Sequence, residues 1–60
     1  PYLVIIDTDV LNVRAGASTS TKVTTQVKRG QVYTIVAEDG EWGKLKSGAG
    51  WIHLAYTKKK

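Results

Sequence analysis

The strongest constraint on this chain is a succession of short β-branched and aromatic runs, each ended by residues that favour turns. The runs cover residues 2–6, 11–14, 23–27, 31–37 and 42–46, and Trp51-Ile52 is the last of them. Such side chains suit the pleated surface of a strand, and no segment shows the 3.6-residue apolar period of a helix. Residues 53–56 are too few for an α-helix and suit a single 3₁₀ turn. The sequence therefore predicts an all-β fold, a small barrel of five to seven strands with one 3₁₀ turn near the C-terminus.

Alternation indicates the inward face of only one of these strands. Leu11 and Val13 share one face of the second strand, and Asn12 and Arg14 share the other. In the runs 2–6 and 31–37 both faces are apolar, so alternation does not show which face points inward. A neighbouring domain that covers one face of the first strand is one explanation.

The inventory of reactive side chains argues against an enzyme. Sixty residues make one domain, which buries only about 60% of its unfolded surface and has little room for a catalytic cleft. His53 is the only histidine and there is no cysteine, so neither a Cys–His pair nor a thiolate metal site can form. The serines are confined to predicted loops and show no arrangement of partners for a catalytic triad. Glu38, Asp39 and Glu41 lie at a predicted hairpin tip, where solvent keeps carboxylates from acid/base work. We expect no catalytic residue.

The sequence predicts no metal ion and no other cofactor. Asp7-Thr8-Asp9 carries alternate carboxylates, but the remaining ligands of a calcium loop are missing. Asp side chains readily bond to nearby backbone, so turn formation explains this segment better.

The basic charge is concentrated at one end of the chain. The formal net charge is +4, and Lys58, Lys59 and Lys60 supply three of the nine basic residues. Without them six basic residues face five acidic ones, a net charge of 6 − 5 = +1. We therefore expect one domain over residues 1–57 and a solvated, frayed basic tail over 58–60. The other basic residues are scattered, which disfavours a nucleic-acid partner and leaves single-strand binding as a third alternative.

The sequence contains no membrane span, because no apolar stretch approaches about 18 residues. Residues 2–6 are too few for the core of a signal peptide. The chain begins with proline rather than methionine, from which we expect a fragment of a longer protein. The absence of cysteine is compatible with an extracellular setting.

Two segments carry a resemblance to a known family. Residues 11–23 carry the pattern Leu-Asn-Val-Arg-x-Gly-x-Ser-Thr-Ser-x-Lys-Val, which resembles the opening part of bacterial SH3 (SH3b) domains. The closing part of these domains resembles Trp42–Ile52 together with Leu54-Ala55-Tyr56. The resemblance implies an SH3-like barrel with Tyr33 and Ile35 facing inward. It also implies a non-catalytic module that binds peptidoglycan stem peptides or cross-bridges. Such modules are linked to hydrolases such as endolysins and autolysins, at the bacterial cell wall outside the cell.

A wall ligand of this kind calls for hydroxyls, an amide, a guanidinium and an aromatic platform. The candidate ligand-binding residues supply these groups: Asn12, Arg14, Ser18, Thr19, Asp39, Trp42, His53 and Tyr56. Asn12 and Arg14 have an alternative role in holding the following loop through its backbone, and His53 has an alternative structural role. Trp42 suits either the core or the ligand surface, whereas Trp51 is expected in the core.

A second functional interpretation is a module that binds short or proline-rich peptides. Residues 50–56 resemble the ending of eukaryotic SH3 domains, but His53 stands where those domains carry a proline. The loop after Arg14 carries serine and threonine rather than acidic residues. The aromatic-lined groove that recognises a polyproline helix would therefore lack part of its binding residues.

Overall fold

The computed structural model describes residues 1–60 and contains seven strands and one 3₁₀ turn. In chain order the elements are β1 (Tyr2–Ile6), β2 (Val10–Arg14), β3 (Val23–Lys28), β4 (Val32–Asp39), β5 (Trp42–Leu45), β6 (Trp51–His53), the 3₁₀ turn (Leu54–Tyr56) and β7 (Thr57–Lys59). The predicted all-β class and the 3₁₀ turn are confirmed. No helix in the structure is long and apolar enough to cross a membrane.

All seven strands belong to one antiparallel sheet in the order β3-β2-β6-β5-β4-β1-β7. β3 and β7 lie at the two ends of this order and do not pair with each other, so the hydrogen-bond ladder does not close. The fold is an SH3-like small β structure that stays open along one seam.

One apolar cluster lies inside the curved sheet. It consists of Val4, Ile6, Leu11, Val13, Val27, Ile35, Leu45 and Ile52, and no polar side chain is buried with it. Because these residues come from six different strands and still form one cluster, the sheet must curl around them. The small core therefore depends on every strand except β7.

The structure identifies the inward face of the two strands that are apolar on both sides. In β1, Val4 and Ile6 are buried while Leu3 is 45% exposed. In β4, Ile35 is buried and Tyr33 packs against the core, which confirms the inward face that the family resemblance implies.

Trp51 does not lie in the core, so the expectation for this residue is wrong. β6 buries Ile52 completely, and adjacent strand residues point to opposite faces. Trp51 and His53 are consequently left partly exposed on the outer face of the sheet.

The C-terminal lysines are more ordered than a frayed tail. Lys58 pairs with Ile5 and Lys59 with Val4, so β7 extends the sheet beside β1. The side chains remain exposed; that of Lys58 lies 3.7 Å from the Asp7 carboxylate. Backbone pairing with β1, which the side-chain composition does not reveal, orders this segment.

A bulge and a glycine hold the β5–β6 loop against β2. The register between β2 and β3 shifts after Val13, which leaves Thr24 as an extra residue. The Thr24 hydroxyl lies 2.7 Å from the Ala49 carbonyl oxygen and 3.2 Å from that of Val13. The neighbouring Gly50 approaches the Arg14 carbonyl so closely that a Cβ would overlap it. This close approach allows β6 to pair with β2.

Candidate functional site

A surface cavity of about 330 Å³ opens where β2, β5, β6 and the 3₁₀ turn meet. Its lining residues are Thr8, Val10, Leu11, Asn12, Arg14, Thr19, Trp42, His53 and Tyr56. Pairing of β6 with both β2 and β5 brings these distant parts of the chain together.

Three rings form one wall of this cavity. Trp42 is the cross-strand partner of His53, and their ring centroids are 5.2 Å apart at an interplanar angle of 70°. The His53 and Tyr56 rings are 5.4 Å apart and tilted by 50°. Trp42 is partly exposed, and Tyr56 is 52% exposed. The wall therefore offers flat apolar surface together with an indole N–H and a phenol hydroxyl.

The opposite wall carries the polar groups of β2. Arg14 Nη1 donates to the Thr21 carbonyl oxygen at 2.8 Å, and Asn12 Oδ1 accepts from Gln26 Nε2 at 2.9 Å. Arg14 thus holds the following loop, as one interpretation of the sequence has it, and lines the cavity as well. Since a guanidinium has five N–H donors and Asn12 uses only its carbonyl oxygen, both residues keep donors for a ligand.

The loop after β2 is closed by Thr21. Its hydroxyl accepts from the Gly16 N–H at 3.1 Å and lies 2.8 Å from the Ser18 carbonyl oxygen. The Ser18 hydroxyl bonds within the loop itself, where it accepts a hydrogen bond from the Ser20 N–H at 3.1 Å. Thr19, at the tip, is the loop residue that reaches the cavity.

Six of the eight candidate ligand-binding residues therefore converge on one cavity: Asn12, Arg14, Thr19, Trp42, His53 and Tyr56. Ser18 does not line it, and Asp39 lies opposite Trp42 in the ladder, beside the aromatic wall. Their roles in binding remain predictions.

Three lining residues were absent from the candidate set: Thr8, Val10 and Leu11. Val10 has the same strand parity as Asn12 and Arg14 and is 48% exposed, so alternation along β2 could have identified it. Leu11 belongs to the core and also reaches the cavity. Nothing in the sequence marks Thr8.

His53 carries a polar atom without a partner. Its Nδ1 is buried and makes no hydrogen bond, while Nε2 lies 3.7 Å from the Glu41 carboxylate. An unsatisfied buried nitrogen destabilises the domain. Because Nδ1 has no exposed surface, His53 contributes to the cavity through its ring rather than through this atom.

The acidic residues near the first turn are engaged in ion pairs. Arg29 Nε lies 3.1 Å from Asp9, and its Nη1 lies 3.4 Å from Asp7. The two carboxylates thus face a guanidinium, which favours the structural interpretation of this turn.

A second, smaller cavity of about 250 Å³ lies near the end of β4, where the exposed Glu38 accepts a hydrogen bond. The Tyr2 hydroxyl donates to Glu38 Oε2 at 2.5 Å. This hydrogen bond, together with desolvation and the negative charge of Glu38, raises the pKa of Tyr2 to about 12. The bond joins β1 to the far end of β4.

Comparison with known proteins identifies what this chain resembles. Residues 9–58 match the bacterial SH3 domain family. The chain is 44% identical over 51 residues to a Bacillus subtilis (strain 168) protein named "Putative N-acetylmuramoyl-L-alanine amidase YrvJ". That match covers 80% of this chain and 10% of the relative, so the chain spans about a tenth of the relative's length. No solved structure matches the chain significantly.

Proposed function

Because the chain belongs to the bacterial SH3 domain family, we propose that it binds peptidoglycan and targets an attached hydrolase to the bacterial cell wall. As a bacterial SH3 domain it is a binding domain and not an enzyme. The ligand would be a stem peptide or a cross-bridge, held at the cavity between β2 and the aromatic wall. The domain would then act outside the cell, at the wall.

The cavity is the observation that carries this proposal. One wall presents Trp42, His53 and Tyr56, and the other presents Asn12 and Arg14. Rings can pack against the peptide units and sugar faces of a wall polymer, while amide and guanidinium donors bind its carbonyl groups. A small open cavity on a 60-residue domain favours weak, reversible binding, since a small interface contributes little area.

The amidase relative supports the attached hydrolase. That protein is named as an N-acetylmuramoyl-L-alanine amidase, and the matched segment is a small part of it. A weak binder linked to such an enzyme raises the local concentration of the enzyme at its polymer. Further copies of the module in one chain would strengthen attachment through avidity.

The test is co-sedimentation of the domain with purified peptidoglycan sacculi from several Gram-positive species, at low and high salt. Trp42→Ala and Tyr56→Ala should each reduce the pelleted fraction without unfolding the domain, which circular dichroism would check. Leu3→Ala is the matched control, because Leu3 is 45% exposed but lies outside the cavity.

Each outcome has a distinct meaning. Salt-resistant and species-selective pelleting that depends on Trp42 and Tyr56 would support the proposal. Pelleting that disappears at high salt would reduce the interaction to the lysines of residues 58–60. Absence of pelleting with every wall type would refute peptidoglycan binding, and an array of proline-rich peptides would then test the alternative module.

A further inference from the structure

The outer face beside the cavity carries a tryptophan between two cations. Trp51 of β6 pairs with Arg14 of β2 on one side and with Lys44 of β5 on the other. Directly opposed residues of antiparallel strands point to the same face, with Cβ atoms about 5 Å apart. Arg14, Trp51 and Lys44 therefore form one row across three strands, which we name the cationic row.

The two cations of this row have no acidic partner. The ion pairs of the structure involve Arg29, twice, and Lys58, and the remaining contact with a carboxylate is made by the His53 ring. Lys44 is exposed, and the contact of Arg14 with the Thr21 carbonyl leaves other guanidinium donors free. The Trp51 ring is partly exposed between them. Two unpaired cations beside an aromatic surface are suited to an anionic group.

The opposite end of the same face is acidic. Trp42 and His53 form the neighbouring row, where Asp39 is the ladder partner of Trp42 and Glu41 lies 3.7 Å from His53 Nε2. The two rows are two residues apart along the strands, which corresponds to roughly 7 Å. A dipeptide unit spans about the same length. A polyanion would be repelled at the acidic end, whereas a short peptide with an amino group and a carboxylate would match both ends.

We propose that the cationic row is a carboxylate-binding subsite that orients a short zwitterionic wall peptide along the outer face of β2, β6 and β5. The inference rests on the proposed function, which it deepens. The peptide carboxylate lies against Arg14 and Lys44 and packs on Trp51. Its amino group lies two to three residues away, towards Asp39 and Glu41.

The two tryptophans allow this arrangement to be tested directly. Each gives one indole N–H signal in a ¹H-¹⁵N spectrum, and Trp42→Phe and Trp51→Phe assign them. The probes are the synthetic tetrapeptide L-Ala-γ-D-Glu-L-Lys-D-Ala and its analogue in which both carboxylates are amidated. The acid form should shift both signals. The amidated form should bind about five- to tenfold more weakly and shift the Trp51 signal less, because it lacks the charge-assisted contacts.

Lys44→Gln provides the matched perturbation, since Lys44 is exposed and its side chain makes no hydrogen bond or ion pair. This variant should keep only part of the preference for the acid form, because Arg14 still contacts the carboxylate. Lys60→Gln makes the same charge change at the other end of the sheet and should preserve the preference for the acid form.

The outcomes separate this inference from the proposed function. Equal affinities of wild-type domain for both peptides, or an unmoved Trp51 signal, would overturn the carboxylate subsite even if sacculi still pellet the domain. A polyglycerol phosphate that shifts Trp51 at lower concentration than the acid peptide would also overturn it, in favour of a phosphate polymer. Failure of sacculi to pellet the domain, tested separately, would refute the function itself.

Discussion

Replacing Gly50 by alanine should be far more damaging than the same change at Gly48. Both residues have positive φ, +139° at Gly50 and +83° at Gly48. An added Cβ at Gly48 meets no atom within 4 Å, whereas at Gly50 it overlaps the Arg14 carbonyl and lies 3.2 Å from Val13 Cγ1. Only Gly50 combines a positive φ with steric overlap against β2.

The expected magnitudes follow from these contacts. Backbone strain alone should cost Gly48→Ala about 1–2 kcal/mol of unfolding free energy. Gly50→Ala carries at least this strain, because φ +139° lies further from the left-handed helical region, and overlap with the Arg14 carbonyl should add about 1–3 kcal/mol. A domain of 60 residues has a total stability of roughly 3–9 kcal/mol, so the second variant loses a large share of it.

Thermal and urea unfolding followed by circular dichroism would measure the difference. With an extra loss of about 2 kcal/mol, the Gly50→Ala variant should melt roughly 8–16 °C below Gly48→Ala. It should also weaken pairing between Arg14 and Trp51, because the carbonyl that is displaced belongs to that pair. Equal melting temperatures for the two variants would refute the claim that close approach at Gly50 holds β6 against β2.

Three further changes test other parts of the structure. The Tyr2 pKa is raised to about 12, so its bond to Glu38 stabilises the fold fully below pH about 10 and is lost as pH rises through about 12. Absorbance at 295 nm should show a late tyrosinate step that Glu38→Gln moves to lower pH, because the amide carries no negative charge; an unchanged titration curve would argue against the bond. Thr24→Val should lower stability by about 0.5–1.5 kcal/mol in urea unfolding, because two carbonyl groups lose their hydroxyl partner, and no loss would mean that the loop contact is dispensable. Ile52→Val should cost about 0.5–1.5 kcal/mol, since Ile52 is fully buried; a neutral result would contradict its central position in the core.

Most of the candidate cavity could be predicted because its residues carry recognisable chemistry. Asn12 and Arg14 share the polar face of an alternating strand, and Trp42 and Tyr56 are aromatic residues within the family pattern. Val10 lies just before the run 11–14 that the sequence predicts as a strand, so the alternation of that run did not include it. Thr8 has no distinguishing feature until the turn places it beside β2.

Strand alternation predicts the inward-facing residue least reliably where two apolar residues are adjacent. Trp51 and Ile52 both suit a core, yet a strand can turn only one of them inward, and the sequence does not state which. Which one faces inward follows from pairing: β6 must present Ile52 to the cluster while it joins β2 and β5. The same pairing places Trp51 between Arg14 and Lys44, a neighbourhood that no sequence spacing indicates.

The chain's strand propensities and its turn residues are enough to predict a small β domain, because these properties depend on each residue and its immediate neighbours. Contacts between residues far apart in the chain decide the other features of the fold. These are the order of strands, the bulge at Thr24, the ordering of Lys58 and Lys59 in β7, and the position of β2 opposite the aromatic wall. Such contacts form only when one set of pairings buries the core better than its competitors, so only the tertiary structure decides them.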